Sequence, residues 1–165
     1  MHSLTQEELK RIMEFDHVTG IFTWSGAAKN KMRAGSRAGT SNTTGYICIM
    51  IYGKHYRAHR LAWLWEYGEF PAKETDHING IRNDNRIANL RQATHHENMQ
   101  NQRKMHKNNC SGYLGVYPSG YMKKPWRVTI SVDNKTKHVG HFVGKEEARD
   151  AYIEAKRMYH KFCTI

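Results

Sequence analysis

The sequence contains no long apolar run, few cysteines and a shortage of acidic residues. No stretch of about 18 apolar residues occurs, so we expect no segment that spans a bilayer. Residues 1–10 are polar and acidic rather than signal-like, so we expect a cytoplasmic protein that is not secreted. The three cysteines are widely spaced and form no CxxC pair, which argues against a disulfide framework and against a cysteine zinc site.

The charge of the chain is strongly positive. It has 26 Lys and Arg against 15 Asp and Glu, a formal net charge of +11. A charge of this size favours a polyanionic partner, either nucleic acid or an anionic membrane surface. Because no membrane segment is expected, nucleic acid is the predicted partner. The 165 residues suffice for one ordinary domain or for two or three small ones.

The run from residue 76 to residue 98 carries the residue types best suited to chemistry. An Asn-Gly pair at 79–80, a strong signal for a tight hairpin turn, separates two short predicted strands. A capping box at 94–97 predicts that a helix follows directly. The order strand, turn, strand, helix brings four polar residues to one small site. They are Asp76 and His77 at the end of the first strand, Asn89 at the end of the second, and Asn98 in the first helical turn.

Those residue types indicate phosphodiester hydrolysis. The carboxylate of Asp76 and the amide oxygen of Asn98 are hard ligands, suited to Mg²⁺ or Mn²⁺ and poor for zinc. Two protein ligands leave most of an octahedral shell for water and phosphate oxygens. The adjacent His77 can take a proton from water near neutral pH. The alternative is that the Asp-His pair and the Asn-Gly turn form an ordinary polar hairpin.

This run resembles the active-site motif of the HNH, or ββα-metal, nucleases, in the form carried by phage and intron homing endonucleases. The resemblance implies that Asp76 and Asn98 hold one divalent cation per active site, Mg²⁺ or Mn²⁺. It implies that His77 activates the attacking water as the general base. It also implies that Asn89 fixes the loop that carries the base, through a hydrogen bond to backbone.

A predicted hairpin and helix over residues 45–67 precede the motif. Their arrangement also resembles the segment that precedes the motif in phage HNH nucleases. By that resemblance His59 and Arg60 lie near the scissile phosphate and join His77 and Asn89 as catalytic residues. A buried structural histidine is the alternative for His59.

The last third of the chain changes character. Residues 126–132 alternate between apolar and polar, and strand-like runs at 113–117 and 137–142 flank them. A helical pattern follows at 145–160. These segments predict a three-stranded antiparallel sheet with one face packed on one helix. The other face is polar and basic, a surface that can enter a major groove of DNA.

The run S-G-Y-L-G-V at 111–116, Trp126 and V-G-H-F at 139–142 carry a second resemblance. They are similar to the Apetala-two-type domain of plant ethylene-response factors, which also occurs in phage HNH nucleases. The plant domain carries arginines and tryptophans at several positions where this chain does not, so no recognition sequence carries over. A solvated basic face is the alternative. The residues expected to contact DNA are Tyr117, Lys123, Lys124, Arg127, Thr129, Lys137 and His138.

We therefore predict an α+β protein. The nuclease region covers residues 1–103, and its ββα-metal core, at about 74–103, has a β-hairpin and helix as an N-terminal extension. A linker at 104–110 leads to a DNA-binding domain at 111–165. The predicted function is site-specific, homing-type cleavage of double-stranded DNA. The predicted location is the cytoplasm, and it is the cytoplasm of the host cell if a phage encodes the protein. One motif per chain predicts a monomer, and a dimer is the alternative. The alternatives are a non-catalytic DNA-binding protein or repressor derived from such a nuclease, and a nuclease that acts on RNA.

Overall fold

The computed structural model describes residues 3–26, 34–102, 105 and 108–164. The chain forms two compact units, Met1–Thr94 and His95–Ile165. The division lies before the predicted linker at 104–110, of which residues 104, 106 and 107 lie outside the described residues. In the described part of the chain, no helix has the length and apolar character needed to cross a membrane.

The first unit combines two helices with three small antiparallel sheets. The sheets pair β1 with β2, order β3, β4 and β5 side by side, and pair β6 with β7. The elements in chain order are α1 (Gln6–Ile12), β1 (Met13–Asp16), β2 (Ile21–Trp24), β3 (Thr40–Ser41), β4 (Ile47–Ile51), β5 (Lys54–Arg57), α2 (Ala58–Tyr67), β6 (Glu74–His77) and β7 (Leu90–Ala93).

Helix α2 ties the middle sheet to the core of this unit. The two-residue turn before β5 has positive φ at both Tyr52 (49°) and Gly53 (78°), the backbone that a tight hairpin requires. β5 then runs directly into α2, whose apolar residues Leu61 and Leu64 are buried. The helix ends at Gly68, which has φ 81° and donates its N–H to the carbonyl of Leu64. The start of α2 therefore follows β5 without a loop, and the buried face of the helix fixes the position of both.

The motif region differs from its prediction at two points. Asn89 does not end the second strand: it ends a 3-10 turn over Ile87–Asn89, and β7 begins at Leu90. The Asn-Gly turn does not join the two strands directly, because β6 pairs with β7 across a loop that covers residues 78–89. Polar side chains of this loop bond its own backbone: Oδ1 of Asn89 accepts from the N–H of Asn79, and Oδ1 of Asn79 accepts from the N–H of Ile81. Outside the motif, His59 lies in the first turn of α2.

The second unit contains the predicted sheet and helix. The sheet is antiparallel with β9 in the centre, and Ala148, Tyr152 and Ala155 of the long helix pack on one face of it. Gly115 lies against that helix, where an added Cβ would be 2.0 Å from Cε2 of Tyr152. Only glycine therefore fits at this position. The elements are α3 (His95–Gln100), β8 (Val116–Pro118), β9 (Trp126–Val132), β10 (Lys135–Phe142) and α4 (Lys145–Tyr159).

The two residues that follow α3 are bonded to α4 and to the end of the chain. The ammonium of the buried Lys156 donates to the carbonyl of Gln102 at 2.5 Å. The hydroxyl of Thr164 donates to Oδ1 of Asn101 at 2.8 Å. These bonds explain why the second unit begins at His95 and not at the predicted residue 111.

Candidate functional site

His77 lies at the end of β6 and is 4% exposed. Its Nε2 is 3.3 Å from Oδ1 of Asn85, a buried residue of the 78–89 loop. The amide nitrogen of Asn85 donates to the carbonyl of Asn83 at 3.4 Å, which turns Oδ1 toward the imidazole. An amide oxygen can only accept, so His77 carries its proton on Nε2. Nδ1 is then the nitrogen that can take a proton from water.

The surroundings of His77 keep it neutral. Burial lowers the pKa of His77, and this effect outweighs the hydrogen bond that His77 donates to Asn85 and the charge of Asp76, which both raise it. A general base must be unprotonated before it can act. The lowered pKa therefore leaves His77 in its basic form at neutral pH.

His59 packs beside His77 with its ring edge-on at 5.1 Å between centroids. Burial, followed by the proximity of His77, Arg57 and Arg60, lowers the pKa of His59 to about 3. Its Nδ1 has no hydrogen-bond partner within the described ranges. A ring that stays neutral cannot neutralise a phosphate by charge. His59 is thus buried, as the structural alternative expects, and its predicted place near the scissile phosphate stays a prediction.

Asn89 holds the 78–89 loop from inside. Its Oδ1 accepts from the backbone N–H of Asn79 at 2.9 Å, and its Nδ2 donates to the carbonyl of Asp84 at 2.8 Å. The carboxylate of Asp84 in turn accepts from Nε of Arg86 at 2.7 Å, and this hydrogen bond is the main reason that the pKa of Asp84 is lowered to about 2. Asn89 therefore makes two hydrogen bonds to the backbone of the loop that presents Asn85 to His77.

Asp76 is buried next to His77 and is paired with a cation. Its Oδ2 accepts from Nε of Arg91 at 3.0 Å and from Nη2 at 2.7 Å. Asn98 lies on α3, in the second unit, and is half-buried. In the part of the chain that is described, no three His, Cys, Asp or Glu side chains form a group able to hold a metal. The expected donors are one carboxylate and one amide, oxygen types that fit Mg²⁺ or Mn²⁺ with water completing the shell.

The cations that lie over the aromatic neighbour of His77 do not include the predicted Arg60. The guanidinium of Arg60 lies over the ring of Phe70, 5.7 Å from its centroid. Tyr46 contacts the ring of His77 at 5.8 Å, and the guanidinium groups of Arg57 and Arg82 both lie over Tyr46. Sequence reasoning missed Tyr46, Arg57, Arg82 and Asn85, because only tertiary folding brings these positions together.

The second unit presents a polar sheet face opposite α4. Tyr117 pairs with Arg127, and Thr129 pairs with His138, so these four expected contact residues share that face. Lys137 is the exception, because it pairs with the buried Ile130 and its ammonium lies over the ring of Tyr159 on α4. The expected contacts Lys123 and Lys124 lie exposed in the segment before β9.

A β-bulge adds one residue to this face. The register shifts between His138 and Gly140, which places His141 opposite Arg127 and 4.6 Å from the ring of His138. Burial of the ring, followed by the charges of His138, Arg127 and Lys124, lowers the pKa of His141. Strict alternation would put His138 and His141 on opposite faces, so the sequence pattern gave no sign of this pair.

The first unit thus places a neutral, oriented imidazole next to a carboxylate and beside two guanidinium groups. This combination suits proton abstraction from water near an anionic substrate, which is the chemistry of a phosphodiester hydrolase. Residues 56–100, from β5 to the end of α3, match the family described as HNH endonuclease. The match supports a nuclease that acts on DNA, and it contains each residue predicted for catalysis or metal binding. No curated protein and no solved structure matches the chain.

Proposed function

We propose that this protein is a metal-dependent, site-specific DNA endonuclease of the homing type. The observation that carries the proposal is His77: it is buried, neutral and oriented through Nε2 by Asn85, within a segment that matches the HNH endonuclease family.

His77 takes the proton of the attacking water at Nδ1, and Asn85 and Asn89 hold the ring and its loop in place. Asp76 and Asn98 are the proposed ligands of one Mg²⁺ or Mn²⁺. When bound, the cation stabilises the charge that develops on the phosphate and on the departing 3′ oxygen. Arg91 balances the charge of Asp76 and keeps its carboxylate in one orientation.

The second unit is the proposed DNA-positioning part, an Apetala-two-type domain. Its support is the polar sheet face with Tyr117, Arg127, Thr129 and His138, bordered by exposed lysines. Such a face can lie in a major groove and contact bases and phosphates. Arg127→Ala should weaken or broaden site choice. Lys137→Ala removes a charge on the α4 side and serves as the matched control; equal effects of the two changes would contradict this assignment of the face.

The nuclease is tested by incubating the protein with supercoiled plasmid DNA and with a structured RNA, in Mg²⁺, in Mn²⁺ and in EDTA. Metal-dependent conversion of the plasmid is the expected result. Nicked product means that one strand is cut, as expected of a monomer with one active site, and linear product means that both strands are cut. Binding to the plasmid without cleavage in either metal would support the non-catalytic DNA-binding alternative, and cleavage of the RNA alone would identify an RNA nuclease.

A further inference from the structure

Two guanidinium groups lie over one aromatic ring beside the proposed general base. The guanidinium carbon of Arg57 is 4.7 Å from the centroid of Tyr46, and that of Arg82 is 5.1 Å away. The centroid of the same ring lies 5.2 Å from the ring centroid of His59 and 5.8 Å from that of His77. β5, the residue before β4 and the 78–89 loop each contribute one member of this cluster. Three separate segments thus converge next to His77.

Neither of these two arginines is paired with a carboxylate of the described residues. Arg82 donates to the backbone carbonyl of Thr44 at 2.9 Å, and Asp84, two residues further on, is bonded to Arg86 instead. Other arginines within the described ranges do have acidic partners: Arg86 with Asp84, Arg91 with Asp76 and Arg149 with Asp150. The cluster is therefore a concentration of positive charge without an internal counter-ion.

The positions of the two side chains suit an anion with several oxygens. Both residues are exposed, so solvent and a ligand can reach them. Two cations that share one ring repel each other, and the cation–π attraction offsets this only in part. A guanidinium presents a planar fork of N–H donors that matches phosphate oxygens. An incoming phosphate would relieve the repulsion and would accept from both forks.

We propose that Tyr46, Arg57 and Arg82 form a clamp for one phosphodiester group of the DNA strand that His77 attacks. The clamp deepens the proposed function and rests on it for the identity of the strand. Tyr46 is the platform that fixes both guanidinium groups, and its contact with the ring of His77 sets their position relative to the base. The clamp holds the strand so that the bond to be cut lies beside Nδ1 of His77.

The test uses the full-length chain and the double variant Arg57→Gln/Arg82→Gln. Binding to duplex DNA is measured in EDTA over a range of salt concentrations. The slope of log K against log salt should fall by about 0.9, the value for one phosphate contact. In Mg²⁺ or Mn²⁺, kcat/KM for plasmid cleavage should fall at least about tenfold, since hydrogen bonds to charged groups are lost.

The matched control is Lys10→Gln/Arg11→Gln, which removes two positive charges from α1 in the same unit. It should keep the salt slope and the cleavage rate of the wild type. Equal slope changes in both double variants would overturn the clamp, because they would show only a loss of general charge. Circular dichroism melts check that both variants are folded.

The outcomes separate the clamp from the nuclease. Wild-type cleavage, with an unchanged salt slope and kcat/KM in the arginine variant, overturns the clamp and leaves the nuclease standing. No wild-type cleavage, with a slope that falls only in the arginine variant, supports a phosphate-binding site and overturns the nuclease. No cleavage and no change of slope overturns both.

Discussion

One hydrogen bond determines which nitrogen of His77 can accept a proton. Asn85 accepts from Nε2, and the 3.4 Å bond from its amide nitrogen to the carbonyl of Asn83 favours the orientation that turns the amide oxygen toward the ring. Both partners are buried, so water does not readily replace the bond. Asn85 is therefore a positioning residue: it acts on the reaction through the tautomer and orientation of His77.

Asn85→Ala should slow DNA cleavage about fivefold or more, the equivalent of about 1 kcal/mol for one hydrogen bond. The bond also raises the pKa of His77, so its loss should move the acid limb of the pH–rate profile to lower pH. In the wild type this limb should already lie below pH 6.5, the ordinary value for histidine. Asn83→Ala, an exposed change in the same loop, is the control. A slower rate with an unmoved acid limb would mean that Asn85 acts only on stability.

His59 should make the first unit sensitive to acid. Above pH 6.5 the imidazole is neutral in both the folded and the unfolded chain, so it does not change stability with pH. Between pH 6.5 and its folded pKa of about 3, only the unfolded chain takes up the proton. The free energy of unfolding should therefore fall by up to about 1.4 kcal/mol for each pH unit from this group alone.

The measurement for His59 is urea denaturation at pH 7 and pH 5. His59→Phe keeps an aromatic ring that cannot be protonated, so its stability should depend less on pH than that of the wild type. Parallel curves for wild type and His59→Phe would show that His59 is not buried as a neutral ring.

Among the elements, the 78–89 loop depends on a glycine from a distant hairpin. Gly20 ends the turn between β1 and β2 with φ +70°, and an added Cβ would lie 2.4 Å from the backbone nitrogen of Arg86 and 2.6 Å from the carbonyl carbon of Asn85. Backbone atoms cannot move aside as the end of a side chain can. The hairpin therefore packs directly against the segment that presents Asn85 to His77.

Gly20→Ala should lower the free energy of unfolding by about 1–3 kcal/mol and should also reduce cleavage, because it displaces the loop. Gly35→Ala is the matched control: Gly35 has φ +76° but open space around its Cβ position. It should show the backbone strain without the effect on cleavage. Equal stability losses and intact cleavage in both variants would contradict the role given to Gly20. Denaturation curves and plasmid cleavage supply the two readouts.

At the scale of the whole molecule, local patterns predicted most elements but few of the contacts. Alternation identified β9 with its bounds, and apolar spacing identified α2 and α4, because these signals depend on near neighbours in sequence. The cluster of Tyr46, Arg57 and Arg82 has no such signal. Each of these residues is ordinary in its own segment, and only the packing of the segments gives them a common role.

Two further features depend on tertiary contacts. The capping box correctly predicted that α3 begins after Thr94, but the bonds from Lys156 and Thr164 make the helix part of the second unit. The bulge in β10 moves His141 to the face of His138, which strict period-two alternation excludes. Residues far along the chain determine the unit to which α3 belongs, and a local irregularity determines the sheet face on which His141 lies.

The most direct test of the account compares wild type with His77→Ala on supercoiled plasmid, with DNA binding measured in EDTA. The account predicts metal-dependent cleavage by the wild type. It predicts a loss of roughly 100-fold or more in His77→Ala, the usual contribution of a general base, with DNA affinity unchanged within a few-fold. Undiminished cleavage by His77→Ala would contradict the account, because the proton would then be taken by another group.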